Sequence, residues 1–409
     1  MRTERVVIAG AGLAALRTAE ELRGKGYRGA ITMVGAEPHP PYDRPPLTKR
    51  FMLGQLTDTT LAADLTPLGV QPRLAETATG LADGVLMTGQ AGYRFDALVI
   101  ATGAVPIRLP GTGTQRVLRT VDDARALRSA LVPGTRLAVV GAGWIGAELA
   151  TAAATLGCQV TVVEAAAAPL AAALGPEVGA VTAAWYGKAG VELLLGQPVE
   201  SVEPGGLTFP GGGWLAADEI VTAVGVRPAV GWLAGTPVAL DNGVVVDERL
   251  RASVPAVYAV GDCAAFASRR YGRRLRVEHW DNALHAPAVV AAGILGGEDV
   301  YDPVPYFWSE QFGLMVQYAG HHTSADRLVW RGDQATRQWS ACWLAATEAG
   351  DRLVAVLAVA RPKDLLQGRR LIAAGGPVDA GLLADPTVPL RDAVAGDRDA
   401  GAGALERPR

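Results

Sequence analysis

The sequence predicts an α/β fold with two strand–turn–helix–strand units in one chain, and three observations carry that prediction. Two glycine-rich turns, Gly10-Ala11-Gly12-Leu13-Ala14-Ala15 and Gly141-Ala142-Gly143-Trp144-Ile145-Gly146, each follow a short apolar run and open a helix-like segment. Each is followed by a second apolar run ending near an acid: Ala30-Ile31-Thr32-Met33-Val34 before Glu37, and Val160-Thr161-Val162-Val163 before Glu164. Two further runs, Ala97-Leu98-Val99-Ile100 and Val257-Tyr258-Ala259-Val260, are continuously apolar, as strands buried on both faces of a parallel sheet are. A lone glycine turn is weak evidence, because tight strand-to-helix turns need glycine for backbone reasons alone. The acid after the second strand of each unit is more specific, since a βαβ unit presents a carboxylate there to an adenosine ribose.

Taken in order, the first unit starts at Val6-Val7-Ile8, closes with Ala97-Leu98-Val99-Ile100 and ends near Pro110. The turn Ala101-Thr102-Gly103-Ala104 is made of small residues, which let a ligand approach the backbone. A Pro/Gly-rich connector and a helical stretch from Asp122 to Leu131 lead to Arg136-Leu137-Ala138-Val139-Val140, the first strand of the second unit. That unit ends with the run Val221-Thr222-Ala223-Val224-Gly225-Val226-Arg227-Pro228, which breaks at glycine. The later run Val257-Tyr258-Ala259-Val260-Gly261-Asp262 delivers an acid at a strand's carboxyl end, where ligands of open α/β sheets lie. From about Phe307 the pattern turns to β-like runs such as Leu353-Val354-Ala355-Val356-Leu357-Ala358-Val359, which predicts a C-terminal α+β domain on antiparallel sheet. The stretch after Val394, rich in Gly, Ala, Asp and Arg, is expected to be disordered. One flavin site and one nicotinamide site in such a chain would make a hydride-to-flavin reductase.

Composition removes other classes. With 409 residues, 49% hydrophobic and 19% charged, the chain can bury substantial cores. A net charge of −3 gives no reason to expect nucleic acid. The early strand leaves no room for a signal peptide, and the Ala-rich stretches are interrupted well short of a bilayer span, so no membrane partner and a cytoplasmic location are expected. The three cysteines, Cys158, Cys263 and Cys342, form no Cys-x-x-Cys pair, which disfavours dithiol chemistry. Cys263, beside Asp262, reads as a buried apolar residue. The five histidines show no metal spacing, and no metal site is expected.

The chain resembles the oxygenase-coupled NADH-dependent ferredoxin reductases from Val6 to about Leu390. The marks are Pro41-Tyr42-Asp43-Arg44-Pro45-Pro46-Leu47-Thr48-Lys49, Arg119-Thr120 with Asp122-Asp123-Ala124, Gly261-Asp262, Glu278-His279-Trp280 and Tyr306-Phe307-Trp308-Ser309. The resemblance implies two dinucleotide-binding, Rossmann-like domains, the NAD domain (111–239) inserted in the FAD domain (1–110 and 240–306). A C-terminal domain (307–394) and a tail (395–409) complete the chain. For FAD it implies Gly10, Gly12 and Ala14 at the pyrophosphate with Arg44 beside it, Glu37 at the adenosine ribose, and Ala101, Thr102, Gly103 and Asp262 along the cofactor. Ala78, Arg136 and Trp280 are further contacts by family position. Lys49 is expected at the flavin edge, where a fixed ammonium stabilises the charge gained on reduction. Glu148 is its expected partner, the alternative being an ordinary first-turn helix acid. For NADH it implies Gly141, Gly143, Ile145, Gly146 and Gly225, with Glu164 binding the ribose and repelling the extra phosphate of NADPH. Trp308 is expected beside the flavin. The electrons are expected to reach a small iron–sulfur ferredoxin feeding a monooxygenase or ring-hydroxylating dioxygenase, with Arg269, Arg270, Arg273, Arg274 and Arg276, or else Arg369 and Arg370, facing that acidic partner. A rubredoxin or quinone reductase, or a redox-sensing flavoprotein like apoptosis-inducing factor, would share the cofactor residues.

Overall fold

The computed structural model describes residues 3–62 and 64–395. They form two compact units, divided between Asp302 and Pro303, four residues ahead of the expected start of the C-terminal domain.

In the first unit, β1 (Arg5–Ala9), α1 (Leu13–Gly24) and β2 (Ala30–Gly35) form a βαβ element, because the centre of β1 is apolar, that of β2 is apolar but for Thr32, and α1 buries Ala15, Leu16, Ala19 and Leu22. Five strands, in the order Val257–Ala259, Ala97–Ile100, β1, β2, Val70–Leu74, make one sheet. All four pairings are parallel, with Ile8 opposite both Met33 and Val99. The strand Val257–Ala259 thus returns to the first sheet after a second one has been built. That second sheet is also parallel: Glu192–Leu195, β4 (Gln159–Glu164), β3 (Arg136–Val140) and Glu219–Thr222, with α2 (Trp144–Thr155) linking β3 to β4. An antiparallel ribbon of Ala104–Pro106 with Val226–Pro228 lies where the chain passes to and from this second sheet. The apolar run expected at 221–228 is accordingly two elements, a strand ending at Thr222 and a ribbon strand beginning at Val226, separated by Gly225 at φ +111°.

The helix expected from Asp122 to Leu131 spans Val121–Ala130. Its start is fixed by a capping box in which the Thr120 hydroxyl accepts from the Asp123 N–H and the Asp123 carboxylate accepts from the Thr120 N–H.

The second unit is an antiparallel sheet in the order Tyr306–Gln311, Leu314–Gly320, Gly350–Val359, Trp339–Thr347, Arg327–Arg331, as the β-like runs predict. The helix Pro362–Ala374 packs Leu365 and Ile372 against it. Arg331, fully buried, donates to Asp364 at 3.0 Å and to the carbonyls of Leu383, Asp385 and Val388, which pins the chain after the helix to the sheet. A buried charge is tolerated there because its donors are satisfied. Ala395 donates to the Pro377 carbonyl; the rest of the tail expected to be disordered, 396–409, lies outside the described residues. Among the described residues no helix is long and apolar enough to cross a membrane, and no group of His, Cys, Asp and Glu could hold a metal ion.

Candidate functional site at the carboxyl ends of the strands

Four strands of the first sheet end at one cavity of about 700 Å³, lined by the loops that follow them: 10–14, 34–37, 101–106 and 260–262. This is where a parallel sheet places its ligand. Gly10 has φ +126°, and a Cβ there would stand 2.1 Å from the Ala101 carbonyl oxygen, so only glycine lets β1 turn this close to its neighbour. Gly12, the N-cap of α1, has no side chain to cap the helix, and among the described residues, its own chain neighbours aside, no heavy atom lies within 4 Å of where its Cβ would be. A helix N-terminus facing open space over a glycine turn fits a pyrophosphate. The second turn repeats the arrangement: Gly141 has φ +106°, its Cβ would lie 2.5 Å from the Ala223 carbonyl oxygen, and the N-cap Gly143 also faces open space. Both cradles fit the dinucleotides that the sequence implies.

The Pro-rich segment forms another wall of the cavity. Pro45–Thr48 is a short 3₁₀ turn, and the residues around it face inward. Arg44 donates to Glu37 at 2.7 Å, to the Tyr42 hydroxyl at 2.9 Å and to the Arg119 carbonyl at 2.6 Å. Tyr42 donates in turn to the other Glu37 oxygen at 2.5 Å. Burial pushes the Tyr42 phenol well above its ordinary pKa, against the Arg44 charge and with help from its bond to Glu37. Asp43 accepts from the Trp280 indole N–H at 2.7 Å; burial raises its pKa, opposed by that bond and by the Lys49 charge. At the segment's end the Lys49 ammonium meets Glu148 at 2.7 Å. Glu148, more than nine-tenths buried, stands on α2 of the second βαβ element, so one ion pair joins the walls supplied by the two βαβ elements.

Of the residues singled out in the sequence, Gly10, Gly12, Ala14, Glu37, Arg44, Lys49, Ala78, Ala101, Thr102, Gly103, Ile145, Glu148, Asp262 and Trp280 line this cavity. Gly141, Gly143, Gly146, Glu164 and Gly225 lie outside it, at the carboxyl ends of the second sheet. There both Glu164 oxygens are held by backbone, accepting from the N–H of Ala142 at 2.7 Å and of Ala166 at 2.8 Å. Arg136 is a correction. It begins β3, at the amino end of the sheet, half-exposed and ion-paired with Asp218 at 2.6 Å, so it cannot reach a ligand at the carboxyl end. An arginine that does line the cavity is Arg119, paired with Asp262 at 2.7 Å. Its signal was the Arg119-Thr120 mark, which places it one residue before a helix cap. Trp308 lies in the second compact unit, on the strand Tyr306–Gln311, stacked on Tyr306 with ring centres 6.2 Å apart. Cys263 is fully buried and its thiol is pushed up by burial, in keeping with an apolar role. The basic run is less positive than its composition implies, because Arg269 pairs with Glu248, Arg274 with Asp241 and Arg276 with Glu278. In the second unit Arg369 sits over the Tyr306 ring.

Residues 4–286 match the family described as pyridine nucleotide-disulphide oxidoreductase, and residues 306–394 match the reductase C-terminal family. The chain is 37% identical, over 96% of its length and 99% of the relative's, to the ferredoxin–NAD(+) reductase component of the anthranilate 1,2-dioxygenase system of Burkholderia cepacia. It is 32% identical to putidaredoxin reductase of Pseudomonas putida, over 96% and 97% of the two chains. Among solved structures, that of Fdr9 superposes with a TM-score of 0.90 at 49% identity, covering 95% of this chain and 99% of the other. The reductase of the covalent putidaredoxin reductase–putidaredoxin complex superposes with a TM-score of 0.90 at 31% identity, covering 96% and 98%. With two glycine cradles at two parallel sheets and relatives matched over nearly their whole length, the chain belongs to the pyridine nucleotide-disulphide oxidoreductase family, among its FAD- and NAD(H)-dependent ferredoxin reductases.

Proposed function

We propose that this chain takes a hydride from NADH and passes the electrons singly to a small iron–sulfur ferredoxin, which feeds a monooxygenase or ring-hydroxylating dioxygenase. The balance is one NADH and two oxidised ferredoxins giving NAD(+), a proton and two reduced ferredoxins. The observation that carries the reading is the Lys49–Glu148 pair, which ties the cavity of the first sheet to the helix that opens the second dinucleotide cradle. FAD bound in that cavity would supply the two-electron to one-electron conversion, since a flavin can hold both electrons and release them one at a time.

The rest falls to the chain's own residues. Gly10, Gly12 and Ala14 would hold the pyrophosphate, Glu37 the adenosine ribose, and Arg119 with Asp262 would orient the cofactor at the end of the strand Val257–Ala259. Lys49 would fix a positive charge at the flavin edge, where it favours the reduced state. Glu164 would bind the NADH ribose; the four alanines after it bring no cation to receive a 2′-phosphate. In this reading residues 1–110 and 240–306 form the FAD domain and 111–239 the NAD domain. The docking face takes in Arg269, Arg270, Arg273 and Arg274, although the partners of Arg269 and Arg274 weaken its field. The cytoplasm, where NADH is made, suits a chain whose three cysteines are free thiols.

The test is Lys49→Met, with FAD content, flavin potential and stopped-flow reduction by NADH measured together. Retained FAD with a lower potential and a reduction rate cut about tenfold or more is expected, the scale of one lost electrostatic contact at a reacting centre. An unchanged rate and potential would return Lys49 to a structural role. Ferredoxin-dependent reduction of cytochrome c separates the reductase from a redox sensor, which would reduce its flavin with NADH and not turn over.

A further inference from the structure

Besides the Lys49 ammonium, Glu148 is held by the hydroxyl of the residue before that lysine, Thr48. The Thr48 hydroxyl donates to Glu148 Oε2 at 2.5 Å, the same oxygen that the Lys49 ammonium reaches at 2.7 Å. Thr48 and Glu148 are each only 4% exposed, so water does not readily replace either contact. A hydroxyl has one proton to give. The Pro45 carbonyl also lies near it, but at 3.4 Å, so the short contact to the carboxylate takes the proton. The ammonium has three. Besides Glu148 it is within reach of the Pro45 carbonyl at 3.2 Å and of Thr48 Oγ1 at 3.4 Å. Thr48 therefore touches both members of the ion pair, donating to the acid and facing the base with its lone pairs.

We propose that Thr48 is a positioning residue for hydride transfer: its hydroxyl shares the Glu148 carboxylate with Lys49 and so keeps the ammonium from being drawn wholly onto that acid and away from the flavin edge. The proposal rests on the role given to Lys49 above. Without the hydroxyl, Glu148 Oε2 loses a donor from a buried contact, and the ammonium already on that oxygen has further protons to supply. A charge-assisted hydrogen bond of this length is among the strong ones, so its loss is felt at the ammonium rather than absorbed.

The test compares Thr48→Val, which keeps the shape and removes the hydroxyl, with Thr48→Ser, which keeps the hydroxyl, both as FAD-loaded full-length protein. Thr48→Val is expected to slow the limiting rate of flavin reduction about tenfold and to lower the flavin potential, with the Kd for NADH changed by less than about threefold, the rate loss being the scale of one hydrogen bond to a charged group. Thr48→Ser restores both rate and potential. In a Glu148→Gln background, removal of the hydroxyl adds little, because the two act as a unit. If Thr48→Val does not fold or retain FAD, Thr48→Ala is compared with Thr48→Ser instead. Equal rates and potentials in the hydroxyl-bearing and hydroxyl-free variants, in a protein where Lys49→Met is still slow, overturn the role of Thr48. If Lys49→Met is itself without effect, the reading of Lys49 has failed and the role of Thr48 fails with it.

Discussion

In both βαβ elements a five-residue strand, a glycine turn, a twelve-residue helix and a six-residue strand follow one another. The first glycine of each turn has positive φ and abuts a carbonyl of the neighbouring strand end, Ala101 in one and Ala223 in the other. The elements part company at their acids. Glu164 is the last residue of β4, and its oxygens take backbone N–H groups of the turn and of the next loop. The corresponding last residue of β2 is Gly35, where a Cβ would stand 2.4 Å from the Ala11 Cβ. The first turn therefore sits too close to its second strand for any side chain at that position, and the acid is displaced to Glu37, held by Arg44 and Tyr42 instead. The first turn also opens into the cavity walled by the Pro-rich segment, whereas the second element contributes to that cavity only Ile145 and Glu148. Ile145 is 43% exposed. A walled site suits a ligand that stays, and an open one suits a ligand that must leave at every turnover.

The largest effect expected from this difference lies in the turns themselves. Gly10→Ala and Gly141→Ala each force a Cβ into a carbonyl in a backbone conformation that alanine resists, at a cost of roughly 2–5 kcal/mol. Gly10→Ala should yield protein without flavin absorbance. Gly141→Ala should yield a yellow protein that dithionite reduces and NADH does not. Loss of flavin from both would mean that the two cradles are not separate sites.

Next in size is the choice of nicotinamide. Because Glu164 is fixed by backbone and followed by Ala165-Ala166-Ala167-Ala168, NADH should exceed NADPH in kcat/KM by well over an order of magnitude, the consequence of an uncompensated charge meeting a phosphate. Glu164→Ala should narrow that ratio mainly by weakening NADH. Equal use of the two cofactors by the parent protein would break the comparison at its acid.

Much of this architecture was legible because local chemistry dictates it. Glycine at a positive-φ turn, an apolar strand on each side and an acid after the second strand are all short-range patterns, and so both cradles and the antiparallel C-terminal sheet could be read from the chain. Position within a strand was harder. Arg136 and Arg119 are both arginines near the start of regular elements, and only the three-dimensional direction of β3 shows that Arg136 faces the wrong end of its sheet while Arg119 reaches Asp262. Thr48 was hidden for a different reason: its partner lies 100 residues away, and a threonine before a lysine carries no periodic signal. The basic run from Arg269 to Arg276 was visible, yet its neutralising partners Asp241 and Glu248 arrive from other elements.

The smallest effect expected concerns how the two acids are supported. Glu164 takes its hydrogen bonds from backbone, so no neighbouring side-chain deletion can loosen it in the same way, whereas Glu37 depends on two side chains. Tyr42→Phe removes the hydroxyl that donates to Glu37, accepts from Arg44 and also accepts from the Val121 N–H at the start of the helix Val121–Ala130. Arg44 still holds the other Glu37 oxygen, so the acid keeps its place but loses stiffness. FAD should then dissociate a few-fold to about tenfold faster, within what one hydrogen bond to a charged group contributes, while the Kd for NADH and the NADH-to-NADPH ratio stay as they were. Release followed by flavin fluorescence measures the first, and steady-state kinetics at saturating FAD the second. A change in nicotinamide preference without a change in FAD release would mean that Tyr42 and Glu37 serve the second dinucleotide, and the division of labour between the two elements would have to be reversed.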